Sequence, residues 1–379
     1  MSEIDQYELQ IPDSQQEDEE DLDNKISFKD AVVMNADWTI ETLDSQIKKG
    51  NIDLQPSFQR RGAWDDTRKS RLLESIIVGM PVPNIVLAEQ KDHRGRFIVI
   101  DGKQRLITIS EFLADEYKLK GLDIRPELNG LKYSELPIED KEYLDNSTIR
   151  STVIRSWKDE NFLYAIFYRL NSGSLPLSPQ ELRKALIGGK LLDEIERYLE
   201  GSQSFHLLFG KSLDKRMRDS ELVLRFIAYN RGVENYKGNF KEFLDETVEY
   251  YEKNWDALQP EIIHHLNLLD LALTTTFEIF EDNAFKKWLG DKYERVINRA
   301  IFDCITRFFS QENVSLEALD RKVEVEEAFK NLCFNQQFRD SVEKTPKTVA
   351  ATRTRIDLWG NLLSQVLQKT YDEKSRRII

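Results

Sequence analysis

The sequence predicts an α+β protein in which a small mixed sheet with helices is followed by a mainly helical region. Three observations carry that expectation. The short apolar run FIVI at 97–100 is followed at once by Asp101-Gly102 and a helical pattern. Other short strand-like runs lie before and after it. From about residue 190 onward, amphipathic stretches recur with helical spacing. The length of 379 residues exceeds what one compact core usually holds, so two packed units, or one with a large extension, are expected.

In chain order, residues 1–24 come first, with ten acidic residues and no Lys or Arg. So polar a stretch cannot bury a core and is expected to be a disordered, solvated tail, with a partner-docking or DNA-mimicking tail as the sharper alternative. IETLDSQIKKG reads as a short helix closed by Gly50, and LQPSFQRRGAW as strand and loop. In DDTRKSRLLESIIVGM, the apolar residues Leu72, Leu73, Ile76, Ile77 and Met80 repeat at helical spacing up to Pro81. PVPNIVLAE reads as a short strand and FIVI as a buried one. Leu106, Ile109 and Leu113 then share one face of a helix, and STIRSTVIR completes the sheet. Phe162, Leu163, Ile166, Phe167 and Leu170 form a helical stripe. Ser178 and Glu181 form a capping box with Pro179 at the first helical position, which explains Glu181 structurally. ELVLRFIAYN, NFKEFLDETVEYY, IIHHLNLLDLAL and VINRAIFDCITRFF predict a bundle of helices without a fixed-period repeat.

Composition excludes several function classes. The formal charge is −13, but the first 24 residues carry −10 of it, so the rest is nearly neutral at −3. DNA contact is therefore compatible with the chain, although no dense basic tract announces it. No apolar run approaches bilayer length, and the acidic start has no secretory pattern, so no membrane role and a cytoplasmic location are expected. Cys304 and Cys333 sit in apolar helical sequence and read as buried, reduced thiols. The four histidines, His93, His206, His264 and His265, stand in unrelated contexts without zinc spacing. Gly210-Lys211-Ser212 imitates the end of a Walker A loop, but Phe205 stands where its first glycine belongs.

The chemistry concentrates at DGKQR. Gly102 relieves steric constraint between strand and helix, where backbone N–H groups and the helix dipole favour an anion. Lys103 and Arg105 add cationic donors there, and Asp101 is suited to a magnesium ion or to orienting a water. The same pattern also describes an ordinary strand-turn-helix with solvated charges. Trp64 reads as a packing anchor.

PSFQRRGAW, KSRLLESIIVGMPVPNIVL, FIVIDGKQRLITISEFL, IFYRLNSGSLPLSPQELRKAL and a late RTRIDLWGN occur in an order and spacing that resemble the N-terminal domain of GmrSD-type modification-dependent restriction systems. The likeness covers roughly residues 38–190 well and the later helices loosely. It implies a ParB/sulfiredoxin-like fold and a role in hydrolysing nucleoside triphosphates during defence against foreign or modified DNA. By that resemblance Asp101, Gly102, Gln104 and Arg105 face the nucleotide, with Asp101 and Arg105 catalytic and Asp101 on Mg²⁺. Lys103 replaces the usual Gln and adds charge. Gln59 and Arg60 are implied at the same pocket, although the arginines of that loop equally suit shielding a neighbouring helix. Lys69 and Ser70 suit either phosphate contact or a structural helix start. Arg169 and Asn171 suit either a ligand or the carbonyls at a helix end.

The expected organisation is an acidic tail over 1–24, a ParB-like nucleotide-binding domain over 25–160 and a helical domain over 161–379. The expected function is an NTP-hydrolysing subunit of a prokaryotic defence system, lacking the HNH-type nuclease module that relatives often append and working with DNA and with a separate nuclease or other defence subunit. The alternative is a non-catalytic nucleotide- or DNA-binding adapter that recruits such a nuclease. DNA cleavage by this chain alone ranks below both.

Overall fold

The computed structural model of the chain describes residue 9 and residues 31–54, 64–91, 93–158, 162–163, 165–166, 178–214, 216–344 and 346–379, without the side chains of 185 and 186. Its internal contacts divide the chain into two units, Leu22–Pro176 and Leu177–Ile379, the latter together with Met1–Asp21. The expected tail is described only at Leu9, which is buried.

The first unit contains β1 (Val32–Thr39), α1 (Ile40–Lys48), β2 (Ile52–Asp53), α2 (Asp66–Ile77), β3 (Ile85–Gln90), β4 (His93–Asp101), α3 (Lys103–Leu113), α4 (Ile138–Asn146) and β5 (Thr148–Arg155). Two of its helices, α1 and α2, start where a short polar side chain can bond the first free N–H groups. Thr39 Oγ1 accepts from the Thr42 N–H at 3.2 Å to open α1, and Asp65 Oδ1 from the Arg68 N–H at 2.8 Å to open α2. The α2 pattern, expected to run to Met80, stops earlier. Gly79 adopts φ +74° and leaves Met80 48% exposed, so the left-handed glycine ends the helix before Pro81.

The five strands form one mixed sheet in the order β1-β5-β3-β4-β2. Pairing is antiparallel for β1 with β5 and β3 with β4, and parallel for β3 with β5 and β2 with β4. Alternate residues Ile85, Leu87, Phe97, Val99, Ile149 and Val153 join a core with Leu43 of α1, Leu73 and Ile76 of α2, and Leu106, Ile109 and Phe112 of α3. The intervening Val86, Ala88, Ile98 and Ile100 are buried as well, which is why β3 and β4 read as continuous apolar runs. Sequence reasoning missed β1. Met34–Thr39 do alternate apolar with polar, and Ala36 and Trp38 pack against the core, but the run opens on Val32, Val33 and Met34, which are exposed on the sheet's rim.

The second unit is helical, as expected. It comprises α5 (Pro179–Leu186), α6 (Lys190–Gly201), α7 (Gln203–Phe209), α8 (Arg218–Gly232), α9 (Phe240–Lys253), α10 (Trp255–Phe280), α11 (Arg299–Phe309), α12 (Glu312–Asp320), α13 (Lys322–Leu332), α14 (Gln336–Glu343) and α15 (Val349–Val366). The Ser178/Glu181 capping box opens α5 with Pro179 in its first turn. Gly210 closes the helix α7, so Gly210-Lys211-Ser212 follows a helix where a phosphate loop follows a strand. A two-stranded hairpin, β6 (Tyr371–Asp372) with β7 (Arg377–Ile378), was not anticipated. Arg307 fastens it by donating to the Ser375 and Arg376 carbonyls at 2.8 and 3.0 Å.

Buried ion pairs cross the helical core. Arg225 forks onto Asp303 at 2.9 and 2.5 Å, Arg299 meets Glu221 at 3.1 Å, and Arg183 meets Asp245 at 2.6 Å. Cys304 and Cys333 are free and buried, and burial pushes the Cys333 thiol up to about 11. On α10, His265 is buried while His264 faces solvent. No helix among the described residues is long and apolar enough to cross a membrane.

Candidate active site

The site grows from the junction of β4 and α3. Pairing of β3 with β4 sets Val86 opposite Asp101 and so brings Ile85 against the turn. Gly102 sits there at φ +93°, and a Cβ on it would lie 2.5 Å from Ile85 Cγ2. Both the backbone conformation and the space therefore demand glycine. Because Gly102 has no side chain to cap it, α3 begins with no side-chain cap hydrogen bond.

One turn into α3, Arg105 folds back. Its Nη2 donates to Asp101 Oδ2 at 2.7 Å and to the Asn84 carbonyl at 2.9 Å. This clasp joins the end of β4, the start of α3 and the approach to β3. The Arg105 side chain is 13% exposed and that of Asp101 34%, so the pair lies at the surface edge of the core. Nε of Arg105 is buried and lacks a hydrogen-bond partner among the described residues. A guanidinium has five N–H donors in a planar fork, and both contacts leave from Nη2.

Gln104 points its amide oxygen to the Trp64 N–H at 3.2 Å, and the Arg68 guanidinium lies 4.5 Å over the Trp64 ring. Trp64 is thus held beside the turn. Gln59 and Arg60 lie outside the described residues, as do Arg169 and Asn171. Lys103 occupies the first position of α3, partly exposed.

Lys69 and Ser70 are placed elsewhere. Lys69 Nζ contacts Glu111 Oε2 at 2.6 Å and lies 5.1 Å from the Tyr117 ring centre. Glu111 is six residues along α3 from Arg105, about 9 Å of helix rise. Burial, then the Glu111 charge, push the Tyr117 phenol up, and it stays neutral while donating to the Thr108 carbonyl at 3.2 Å. Ser70 is fully buried, donating to the Asp66 carbonyl at 2.6 Å and accepting from the Lys120 N–H at 2.9 Å. Its hydroxyl holds α2 to the loop that follows α3. Glu74 does the same work further on, accepting the Ile124 and Arg125 N–H groups at 2.7 Å each.

Sequence reasoning missed Asn84 and Ile85. Asn84 contributes a main-chain carbonyl, which no side-chain pattern reveals, and Ile85 a wall whose importance appears only once the strands are paired. Among the described residues, no group of three or more His, Cys, Asp or Glu side chains is gathered to hold a metal.

Compared with protein families, the chain matches over residues 40–188, from the start of α1 to just past α5. Residues 40–188 carry a GmrSD restriction endonuclease N-terminal domain. That GmrSD-type domain includes the 101–105 turn and marks the chain as a component of a restriction or defence system. No curated protein and no solved structure matches the chain.

Proposed function

We propose that the 101–105 turn binds the phosphates of a nucleoside triphosphate and that the chain hydrolyses it in the presence of Mg²⁺, acting with a separate nuclease against foreign DNA. The observation that supports this reading best is the start of α3, which has no side-chain cap and lies beside an arginine with donors to spare. Backbone N–H groups and the helix dipole attract an anion there, and Gly102 lets it approach the main chain closely. Arg105 is held in place by Asp101 and Asn84, so its remaining fork can meet phosphate oxygens without first being ordered.

Asp101, whose Oδ2 alone is taken by Arg105, would hold a magnesium ion, which would supply charge neutralisation there. Hydrolysis also needs a positioned water and stabilisation of the phosphoryl charge. Arg105 serves the second need, and Asp101, with 34% of its side chain exposed, is open to the solvent that supplies the first.

The test is phosphate release from each common nucleoside triphosphate with Mg²⁺, with and without DNA. Asp101→Ala and Arg105→Ala are each expected to lower turnover by about 10²-fold or more, as removal of one preorganised charge contact does elsewhere. Tight nucleotide binding without turnover would replace this reading by the adapter. Metal-dependent DNA scission by the isolated chain would replace it by a nuclease.

A further inference from the structure

Leu9 comes from the most acidic stretch of the chain, yet it is 1% exposed within the apolar core of the helical unit. Its main chain is gripped on both sides. The Leu9 N–H donates to Asp214 Oδ2 at 2.6 Å, and the Leu9 carbonyl accepts from Arg218 Nη1 at 3.0 Å. Asp214 is preset for this contact. Its Oδ1 accepts from the Arg216 and Arg218 N–H groups at 2.9 and 3.0 Å, and its own N–H donates to Asp219 Oδ2 at 2.9 Å. Oδ2 bonds only to Leu9 among the described residues. Without Leu9, a fully buried carboxylate oxygen would lose its partner, an unfavourable state.

Two side chains that read a main-chain N–H and C=O, around a hole for one aliphatic side chain, form a receptor for an extended peptide. In sequence, residues 211–218 hold Lys211, Lys215, Arg216 and Arg218 against the single acid Asp214, while residues 1–24 hold ten acids and no base. We infer that Asp214 and Arg218 frame a docking socket for a short acidic segment bearing a leucine, filled in the resting chain by its own Leu9 as a displaceable plug. A partner that presents the same chemistry competes with the plug for the socket. The inference is independent of nucleotide binding at residues 101–105.

A fluorescent peptide with the sequence of residues 1–24 tests it on the full chain. Wild type, its socket filled, is expected to bind the peptide poorly, and Leu9→Asp to bind it well. A peptide carrying the same Leu-to-Asp change is expected to bind about 100-fold more weakly, the order of effect for placing a carboxylate in an apolar hole. Binding should also weaken as salt rises. A folded Leu9→Asp chain that takes up no peptide overturns the inference. Hydrogen exchange of the Leu9 amide in wild type needs no variant: strong protection is expected, and exchange at the free-chain rate overturns it equally. A wild-type dimer that falls apart on Leu9→Asp would give the socket to a second copy's Leu9 and overturn the intramolecular plug.

Discussion

In the helical unit Arg225, Arg299 and Arg355 are buried against Glu221 and Asp303, whereas in the sheet unit Arg105 meets Asp101 at a turn where the carboxylate keeps 34% exposure. Both regions pair arginine with acid, but they differ in what is left over. Asp303 takes Arg225 in two contacts and stands 3.5 Å from Arg355, so its oxygens are saturated by cations already inside the core. Asp101 uses one oxygen for Arg105, and Arg105 uses one nitrogen for both of its contacts. A buried carboxylate with both oxygens taken by cations specifies packing. An unsaturated pair at a glycine turn can accept a ligand.

The comparison is broken most directly at Asp303. Asp303→Ala leaves Arg225 and Arg355 buried with too little negative charge and is expected to cost about 3–5 kcal/mol in urea denaturation. A loss no larger than that of Asp101→Ala would erase the distinction. Next in size is Gly102→Ala, where the left-handed backbone and the 2.5 Å approach to Ile85 predict a loss of roughly 1–3 kcal/mol. Its melting temperature falls, and phosphate release falls with it because the start of α3 moves.

Arg105→Ala sharpens the contrast from the other side. Its ion pair sits at the surface edge, so stability is expected to change by only about 1 kcal/mol while turnover collapses. A mutant that loses stability and activity in proportion would make Arg105 a structural residue like Arg225. The smallest effect belongs to His265 on α10. Burial holds its imidazole below the ordinary value of 6.5, with Glu261 opposing and His264 adding to the effect. The unfolded chain therefore binds the proton more readily than the folded one. Stability is full above pH 6.5 and declines as pH falls below it towards the lowered folded value. His265→Gln should flatten that part of the pH profile of the melting temperature.

The order of helices and the inner strands was legible because burial writes itself into apolar spacing. FIVI announced β4, and the Ser178/Glu181 pair announced the start of α5. What stayed hidden was set by partners distant in sequence. The edge strand β1 pairs with β5, Val32 opposite Arg155 through Thr39 opposite Thr148, and its short alternation over Met34–Thr39 is preceded by two exposed valines that blur it. At the turn, Asp101, Gly102 and Arg105 could be singled out by residue type and order. The carbonyl of Asn84 and the wall made by Ile85 could not, since they depend on the β3–β4 register. Ser70, a plausible phosphate ligand by type, is turned inward by its bonds to Asp66 and Lys120. Charge statistics described residues 1–24 as a solvated tail and carried no sign that one leucine in it fits a hole more than 200 positions away.

The rim of the sheet has a colloidal consequence. β1 offers eight residues with one charge, Asp37, and no Pro or Lys, and nothing pairs with its outer edge among the described residues. Natural edge strands usually carry lysine, proline or a bulge that discourages further strands from adding on. With Val32, Val33 and Met34 facing water, concentrated solutions of this protein will scatter light through strand-to-strand accretion at that rim, and a lysine in place of Val33 is the change that should keep them clear.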